Sequence, residues 1–137
     1  MAVLILDAEA LSSLARPLDN PERHLTVRAA LRSAARGNRP VRVPSAVLVE
    51  LYRGRGRDEP IDRVLAEGFT RVVTTGARIA RHAGHLLAEA DRGSEMAVDA
   101  LVVATAIRLG GGLVLTHDPR DLELLSGNHP TVRIVEV

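Results

Sequence analysis

The sequence predicts an α/β fold with a mainly parallel sheet flanked by helices. Short apolar runs of strand length recur along the chain, and each is followed by residues that favour a helix or by a charged chain segment. Parallel strands need crossover connections, which are usually helices, so this alternation indicates parallel pairing. Neither an internal repeat nor a low-complexity segment interrupts the pattern.

The first half of the chain contains two apolar runs, each followed directly by helix-start residues. The predicted strands cover residues 3–6 and 41–43, and the predicted helices cover 8–15, 21–36 and 45–54. Pro17 stops the first helix, whereas Asn20-Pro21 opens the second, because proline suits the first helical position. We expect Ser45 to cap the third helix.

The second half adds three further strands with helices between them. Strands are predicted at 71–74, 113–116 and 132–137, helices at 61–67, 76–91, 97–109 and 119–125, and loops at 55–60 and 92–94. The helix at 97–109 is nearly all apolar, so it should be the most buried helix. Arg133 and Glu136 place charges on the last strand, which is therefore expected at an edge of the sheet.

Composition limits the classes of function. With 137 residues and 46% hydrophobic content, the chain is expected to form a single domain spanning residues 1–137. It has no cysteine, and all 18 basic residues are arginine, so thiolate zinc sites, cysteine nucleophiles, P-loops and Schiff-base lysines are excluded. The apolar runs fall far short of the roughly 20 residues of a membrane helix, which predicts a cytoplasmic protein without membrane association.

Four carboxylates stand at strand ends or inside apolar segments. Asp7 and Asp118 follow apolar strands, while Glu50 and Asp99 interrupt apolar helical segments. Burying an ionised carboxylate without a partner costs several kcal/mol or more, so each acid needs a hydrogen-bonding backbone, a base or a metal. In open α/β sheets the functional site lies beyond the carboxyl ends of the strands, where Asp7 and Asp118 occur.

Each acid also has a purely structural explanation. Either strand-end acid is a possible helix N-cap, and Asp99 is a possible first-turn acid that stabilises the helix dipole. For Glu50 the structural alternative is an ion pair with Arg53 or Arg81. As a set, however, three or four acids in one cleft would repel each other unless a cation neutralised them. Mg²⁺ and Mn²⁺ prefer carboxylate oxygens, so the set predicts a divalent-metal site suited to phosphodiester hydrolysis.

Four segments in this order resemble the PIN-domain ribonucleases, and among them the VapC-type toxins of bacterial toxin–antitoxin (VapBC) pairs. The segments are Val3–Asp7, Pro44–Leu51, Val98–Ala106 and Leu115–Leu122. The resemblance covers essentially the whole chain. It implies a PIN-like three-layer fold with five parallel strands in the order 3-2-1-4-5, and Mg²⁺- or Mn²⁺-dependent endoribonuclease activity. It also implies a homodimer and inhibition by a cognate VapB-type antitoxin that covers the acidic cleft.

The resemblance also assigns roles to individual residues. The catalytic and metal-binding acids are then Asp7, Glu50, Asp99 and Asp118. The family often has asparagine at the fourth of these positions and an acid three residues later, so Asp121 either shares the role of Asp118 or replaces it. Thr116 matches a hydroxyl position that lines the site, whereas His117 matches a position without an assigned role and is expected at the surface.

A basic cluster interleaved with glycines is the best candidate for contact with the RNA substrate. It comprises Arg53, Arg55 and Arg57, and its alternative explanation is a solvated loop.

The leading functional hypothesis is therefore a metal-dependent endoribonuclease that acts as a growth-inhibiting toxin. One alternative is a housekeeping RNA-processing or flap-type nuclease of the same fold. The other is a non-catalytic module whose acidic pocket binds Mg²⁺ or a partner's arginine.

Overall fold

The structure, a computed structural model, describes residues 2–137. Within that range five strands alternate with seven α-helices and one 3₁₀ turn. The strands are β1 (Val3–Leu6), β2 (Val41–Pro44), β3 (Thr70–Val73), β4 (Gly112–Thr116) and β5 (Val132–Glu136). The helices are α1 (Ala8–Ala15), α2 (Pro21–Arg36), α3 (Ser45–Leu51), α4 (Glu59–Ala66), α5 (Ala77–Glu89), α6 (Ala97–Arg108) and α7 (Pro119–Ser126). The 3₁₀ turn is Ser94–Met96.

The five strands form one parallel sheet in the order β3-β2-β1-β4-β5. The predicted fold class and the strand order implied by the family resemblance are both confirmed. All four residues of the central strand β1 are buried, as a strand covered on both faces requires. The charged strand β5 lies at an edge of the sheet, as its sequence predicts.

Helices cover both faces of the sheet and make a three-layer architecture. Helix α1 packs against α2 and α4, whereas α6 packs against α5 and α7. Parallel strands joined by right-handed crossovers place these two groups of helices on opposite faces. Helix α3 contacts both α1 and α6, so it spans the rim between the layers and can present side chains to a cleft there.

Close pairing of β1 with β4 fixes the two strand ends that matter most for the site. A Cβ atom on Gly112 would lie 2.2 Å from the carbonyl oxygen of Val3, so only glycine allows this approach. The register pairs Leu6 with Leu115, and the ladder continues with the main-chain N–H of Asp7 donating to the carbonyl oxygen of Leu115 at 3.3 Å. The residues that follow β1 and β4 therefore lie side by side.

Helix α6 has six buried residues, the most of any helix within residues 2–137, as its apolar sequence predicts. The side chains of Val102, Val103 and Ala104 lie in the core, whereas Arg108, in the last turn of α6, is exposed. Because half of the twelve residues of α6 are buried in the core, the polar residue near its start, Asp99, is held in a fixed position. In the described part of the chain, none of the helices combines the length and apolar character needed to cross a membrane.

The predicted extension of the third helix to Gly54 is wrong, because α3 ends at Leu51. The carboxylate of Asp58 accepts hydrogen bonds from the main-chain N–H groups of Arg53 and Gly54, at 2.8 and 2.9 Å. Gly54 also has a φ of 106°, which is outside the helical region. The side chain of Asp58 thus competes with the helix for these amide groups and turns the chain away.

The other boundary differences lie at element ends. Helix α4 begins at Glu59, within a predicted loop, because Pro60 is tolerated in a first turn whose N–H groups need no partner. The 3₁₀ turn Ser94–Met96 extends into the predicted 92–94 loop. Ser45 does not cap α3; its hydroxyl instead bonds the hydroxyl and the main-chain N–H of Thr75, at 3.1 and 2.9 Å, and ties α3 to the chain after β3.

Candidate active site

A cleft of about 210 Å³ opens beyond the carboxyl ends of β1 and β4. These strands are neighbours in the sheet, and the chain leaves them toward opposite faces, so a crevice is expected between their ends. Six carboxylates from four chain segments line the cleft, namely Asp7, Glu9, Glu50, Asp99, Asp118 and Asp121. The predicted hydroxyl residue, Thr116, lines it as well.

Asp7 is both a helix cap and a cleft residue. Its Oδ1 accepts a 2.8 Å hydrogen bond from the main-chain N–H of Ala10 at the start of α1. The side chain is buried, and this burial raises the pKa of Asp7 from 3.8 to about 6 against the opposing effects of Thr116 and the Ala10 N–H. Part of this rise in the pKa of Asp7 comes from like-charge repulsion by Glu9 and Glu50.

The pKa of Asp99 is affected by electrostatic repulsion from the other acids of the cleft. Burial and, in decreasing order of effect, the negative charges of Asp121, Glu50, Asp7 and Asp118 together raise its pKa from 3.8 to about 6. A first-turn acid that only stabilised the helix dipole would face solvent and favour its charged form. Asp99 is instead half-buried among other carboxylates, where the charged form is disfavoured.

Asp118 precedes α7 but makes no side-chain capping hydrogen bond. Its main-chain N–H donates to the Thr116 hydroxyl oxygen at 3.1 Å, and that hydroxyl lies 3.3 Å from the carbonyl oxygen of Asp118. Its exposed carboxylate lies 3.6 Å from the Nε atom of Arg120, at the distance of a weak surface ion pair. Thr116 therefore fixes the turn that carries Asp118, while the Asp118 carboxylate stays at the rim.

Glu50 lacks the ion pair that its structural alternative required. Within residues 2–137 neither Arg53 nor Arg81 lies within ion-pair distance of its carboxylate. The Arg53 guanidinium instead donates to the carbonyl oxygens of Val49 and Tyr52, at 2.8 and 2.7 Å, and so satisfies carbonyls at the end of α3. Glu50 thus faces the cleft as an uncompensated charge.

Glu9 is a cleft carboxylate that the sequence pattern did not single out. It lies in the first turn of α1, where an acid is ordinarily explained by the helix dipole. Its position two residues after the strand-end acid Asp7 was the available signal. Because a helix starting at Asp7 turns its first residues toward the end of the neighbouring strand, an acid there also reaches the crevice.

The donor set fits a hard divalent cation. Only Arg120 pairs with any of these carboxylates within the described residues, and no lysine exists in the sequence. In the same part of the chain, no three acid or histidine side chains stand close enough together to form a complete metal cage. Mg²⁺ does not require one, because it usually keeps several waters and binds proteins through one or two carboxylates.

A second groove adjoins the cleft at Glu50 and carries arginines. Arg16, Arg53 and Arg57 line it, whereas Arg55 of the predicted basic cluster does not. Arg16 was not identified from the sequence; its guanidinium donates to the carbonyl oxygen of Arg57 at 2.6 Å and thereby braces the loop. The structure thus brings two of the three predicted arginines and one unpredicted arginine to the border of the acidic cleft.

His117 is exposed, as expected, but it is not free of contacts. Its Nε2 lies 2.8 Å from the guanidinium of Arg23, and its Nδ1 lies 3.4 Å from the carbonyl oxygen of Val137. A guanidinium only donates and a carbonyl only accepts, so both contacts select the neutral ring with its proton on Nδ1. His117 therefore links α2 to the end of β4 beside the cleft.

Solved structures of similar architecture include chains of VapBC complexes and of a toxin–antitoxin complex. The fold is similar to chains in VapBC2 from Rickettsia felis bound to a DNA fragment from their promoter (TM-score 0.70, 14% identity, 98% of both chains covered). It is also similar to a toxin–antitoxin complex from Klebsiella pneumoniae (TM-score 0.67, 18% identity, 98% of this chain and 99% of that one). DNA-bound VapBC from Salmonella typhimurium gives a TM-score of 0.64 at 20% identity, with 99% and 98% covered. At these identities the likeness shows the fold.

Sequence comparison identifies the family. No curated protein matches the chain. The family model described as PIN domain, in contrast, matches residues 4–126. That range contains all six cleft carboxylates and Thr116. With four of the five strands and all the acids of the cleft inside the match, the chain belongs to the PIN domain family.

Proposed function

We propose that this protein is a Mg²⁺- or Mn²⁺-dependent endoribonuclease and the toxin of a type II toxin–antitoxin pair, acting as a single PIN-like domain over residues 1–137. PIN domains are nucleases, which supports hydrolysis of a phosphodiester bond as the reaction class. The observation that carries the proposal is the cleft in which acids from four chain segments converge with little basic compensation.

The metal would be held by carboxylates from Asp7, Glu50 and Asp99, with Asp118 or Asp121 as the fourth acid. When bound, such an ion lowers the pKa of a coordinated water and stabilises the negative charge that develops at phosphorus. Without a cation, an RNA phosphate entering this cleft would meet only negative side chains and would be repelled.

The protein's own residues set the geometry of the site before any ligand arrives. The hydrogen bond from the Ala10 N–H holds the Asp7 carboxylate in one orientation, and burial of α6 holds Asp99. Thr116 fixes the turn that carries Asp118. This preorganisation avoids a reorganisation cost at the moment of reaction.

RNA is the proposed substrate, and the arginine-lined groove is its proposed path to the cleft. Arg16, Arg53 and Arg57 line a groove that shares Glu50 with the acidic cleft, so a strand held there by its phosphates would lead into the site. Arg55 lies outside this groove, so it would contribute only to the overall electrostatic attraction of RNA to the protein surface. The net charge of the chain is only +1, so attraction of RNA phosphates would depend on the local positive charge of this groove.

The proposed partners are a VapB-type antitoxin and a second copy of the chain. Similarity to chains from toxin–antitoxin complexes supports the antitoxin, which would cover the acidic cleft in the cytoplasm. The homodimer is what the family resemblance implies, and the apolar side chain of Val49 on α3, which is 68% exposed, is the proposed part of its contact surface. Light scattering of the wild type and of Val49→Glu would test it: a dimer that becomes monomeric is expected, and a wild-type monomer would contradict it.

The function is tested by inducing the protein in cells and mapping new RNA ends across total RNA. The wild type should generate discrete internal ends and arrest growth, and Asp99→Asn should do neither. Asp91→Asn is the matched control, since it also removes one negative charge but from an exposed position outside the cleft whose positive φ suits asparagine. Equal cleavage by Asp99→Asn and Asp91→Asn would reject the assigned site.

One observation favours a second candidate, a non-catalytic acidic-pocket module. Within residues 2–137 the acids do not form a complete cage, and such a pocket would also accept an arginine from a partner protein. Tight partner binding with no RNA cleavage in Mn²⁺ would support it. Cleavage without growth arrest would instead indicate a housekeeping RNA-processing or flap-type nuclease.

A further inference from the structure

A larger groove of about 550 Å³ lies at the other end of the sheet from the acidic cleft. Val41, the first residue of β2, and Phe69, which directly precedes β3, form its floor together with Leu31 of α2. The acidic cleft lies beyond the carboxyl ends of the strands, whereas this groove lies at their amino ends. The two sites are therefore separated by the length of the sheet.

Three arginines surround this groove without acidic partners. Arg28, Arg32 and Arg39 line it, and within residues 2–137 none of their guanidinium groups makes an ion pair or a hydrogen bond. Arg28 and Arg32 are four residues apart on α2, so their guanidinium groups lie on the same face of the helix. One acid, Glu67, also lines the groove, so the lining carries a surplus of positive charge.

The third arginine is held in place by the backbone. The chain leaves α2 through Asn38, whose φ is 53°, and the N–H of Arg39 then donates to the carbonyl oxygen of Ala34 at 2.8 Å. The carbonyl oxygen of Pro40 accepts a 2.8 Å hydrogen bond from the N–H of Leu4 in the central strand. This tight exit returns Arg39 to the face of α2 that carries Arg32.

We propose that this groove is a second RNA-binding site, which holds a nucleotide of the substrate strand away from the cleavage point. Phe69 is 39% exposed on the groove floor and offers an aromatic face to a base, while the arginines offer bidentate donors to phosphates. The inference rests on the proposed ribonuclease function, because a strand cut in the cleft is the ligand.

Helix α2 connects the two sites and favours RNA over an acidic protein segment. The helix begins near the cleft, where Arg23 contacts His117, and its 16 residues span about 24 Å. Exposed arginines at positions 28, 32 and 36 continue along it. A stacked strand rises about 3.4 Å per nucleotide, so roughly seven nucleotides would separate a base on Phe69 from the cleavage point.

Because of this separation, only an RNA long enough to span both sites should depend on the groove, so the test compares RNAs of two lengths. Fluorescence anisotropy in Mn²⁺, with every variant built on the cleavage-deficient Asp99→Asn chain so that the RNA stays intact, would measure binding of oligoribonucleotides of about 4 and about 14 nucleotides. The double variant Arg28→Ala/Arg32→Ala should weaken binding of the longer RNA about tenfold and leave the shorter one unchanged. Phe69→Ala should weaken only the longer RNA by several-fold, and Phe69→Tyr should restore it.

The matched control is Arg78→Ala/Arg81→Ala on α5, which removes the same charge from exposed positions outside the groove. Equal losses in both double variants, or equal losses for both RNA lengths, would overturn the proposal. A third outcome would overturn the proposal in favour of a protein partner. In it, an acidic amphipathic peptide binds the wild type but not the Arg28→Ala/Arg32→Ala variant, while both proteins bind RNA equally well. Both double variants should keep the wild-type melting temperature, since they remove exposed charges from helices.

The outcomes also separate this inference from the proposed function. If the short RNA is cleaved in Mn²⁺ by wild type and groove variants alike, while the longer RNA shows no dependence on the groove, only the second site is rejected. If the wild type cleaves neither RNA, the ribonuclease function fails as well.

Discussion

The Oδ1 atom of Asp7 accepts a 2.8 Å hydrogen bond from the main-chain N–H of Ala10, so one carboxylate both caps α1 and lines the acidic cleft. The capping explanation and the functional explanation of this residue are therefore compatible. Capping needs only an acceptor oxygen, whereas binding a metal needs the negative charge. The two roles can be separated by substitution.

Asp7→Asn and Asp7→Ala should differ in stability but not in activity. Asparagine keeps an acceptor for the Ala10 N–H and is a good N-cap, so it should preserve the cap. Alanine removes the acceptor and should be about 1 kcal/mol less stable than the asparagine variant in urea unfolding. Both should lose RNA cleavage. An active Asp7→Asn variant would show that the charge is not required.

Stability should fall as pH rises through the window from about 4 to about 6. The pKa values of Asp7 and Asp99 are raised from 3.8 to about 6, so in this window the folded state binds more protons than the unfolded state. For the buried Asp7 the full effect is at most about 3 kcal/mol. Asp99→Asn should therefore gain stability relative to wild type between pH 4 and pH 7, as measured by urea unfolding. A difference that stays constant with pH would contradict this origin.

Divalent metal should reverse that loss of stability. A cation that binds only the folded state stabilises it by mass action, and here it would also neutralise the repulsion that raises both pKa values. Saturating Mg²⁺ at pH 7 should raise the melting temperature of the wild type, whereas Asp99→Asn should respond less. Equal shifts in wild type, Asp99→Asn and the control Asp91→Asn would indicate nonspecific ion effects.

Asp121 should contribute more to the site than Asp118. After burial, the charge of Asp121 has the largest effect on the pKa of Asp99, and that of Asp118 has the smallest of the four acids. Asp118 is in addition partly compensated by Arg120. Asp121→Asn should therefore lower the pKa of Asp99, followed by NMR titration, and reduce the single-turnover cleavage rate more than Asp118→Asn. The reverse order would assign Asp118 as the fourth acid.

Arg16 and Arg57 should matter for RNA binding, and Arg55 should not. Each groove arginine that contacts a phosphate should lower the slope of log affinity against log salt by roughly 0.7 when it is replaced by alanine. Arg55→Ala removes the same charge from the same loop but outside the groove, which makes it the matched control. Arg16→Ala and Arg53→Ala would be less informative than Arg57→Ala, because both guanidinium groups also donate hydrogen bonds to main-chain carbonyl oxygens. If Arg55→Ala and Arg57→Ala gave equal slopes of log affinity against log salt, the proposed path of the RNA through the groove would be contradicted.

The fold was largely predictable because burial leaves a strong local signal. Strands such as β1 are covered on both faces and read as unbroken apolar runs, and Pro21 and Gly112 mark positions with strict backbone requirements. The end of α3 was not predictable, since it is decided by the carboxylate of Asp58, which accepts a hydrogen bond from the main-chain N–H of Arg53 five residues earlier. Helix boundaries that depend on such competition have no periodic signature.

The site was predictable only in part, for a related reason. Asp7, Asp99 and Glu50 stand out because an acid in an apolar segment is costly. Glu9 and Arg16 lie on the polar face of α1, where charged residues are common, and only the docking of α1 against its neighbours turns them toward the cleft and its border. The pairing of Arg23 with His117 joins residues 94 positions apart and could not be read from spacing.

The central claim is that carboxylates converging on one cleft hold a divalent ion that cleaves RNA, and a Mn²⁺ titration of cleavage tests it most directly. The initial rate on a single end-labelled RNA would be measured against Mn²⁺ concentration for the wild type, Asp99→Asn and Asp91→Asn. The account predicts saturable, EDTA-sensitive cleavage by the wild type and Asp91→Asn, and no detectable cleavage by Asp99→Asn. Cleavage that persists in EDTA, or that Asp99→Asn retains at the wild-type rate, would contradict it.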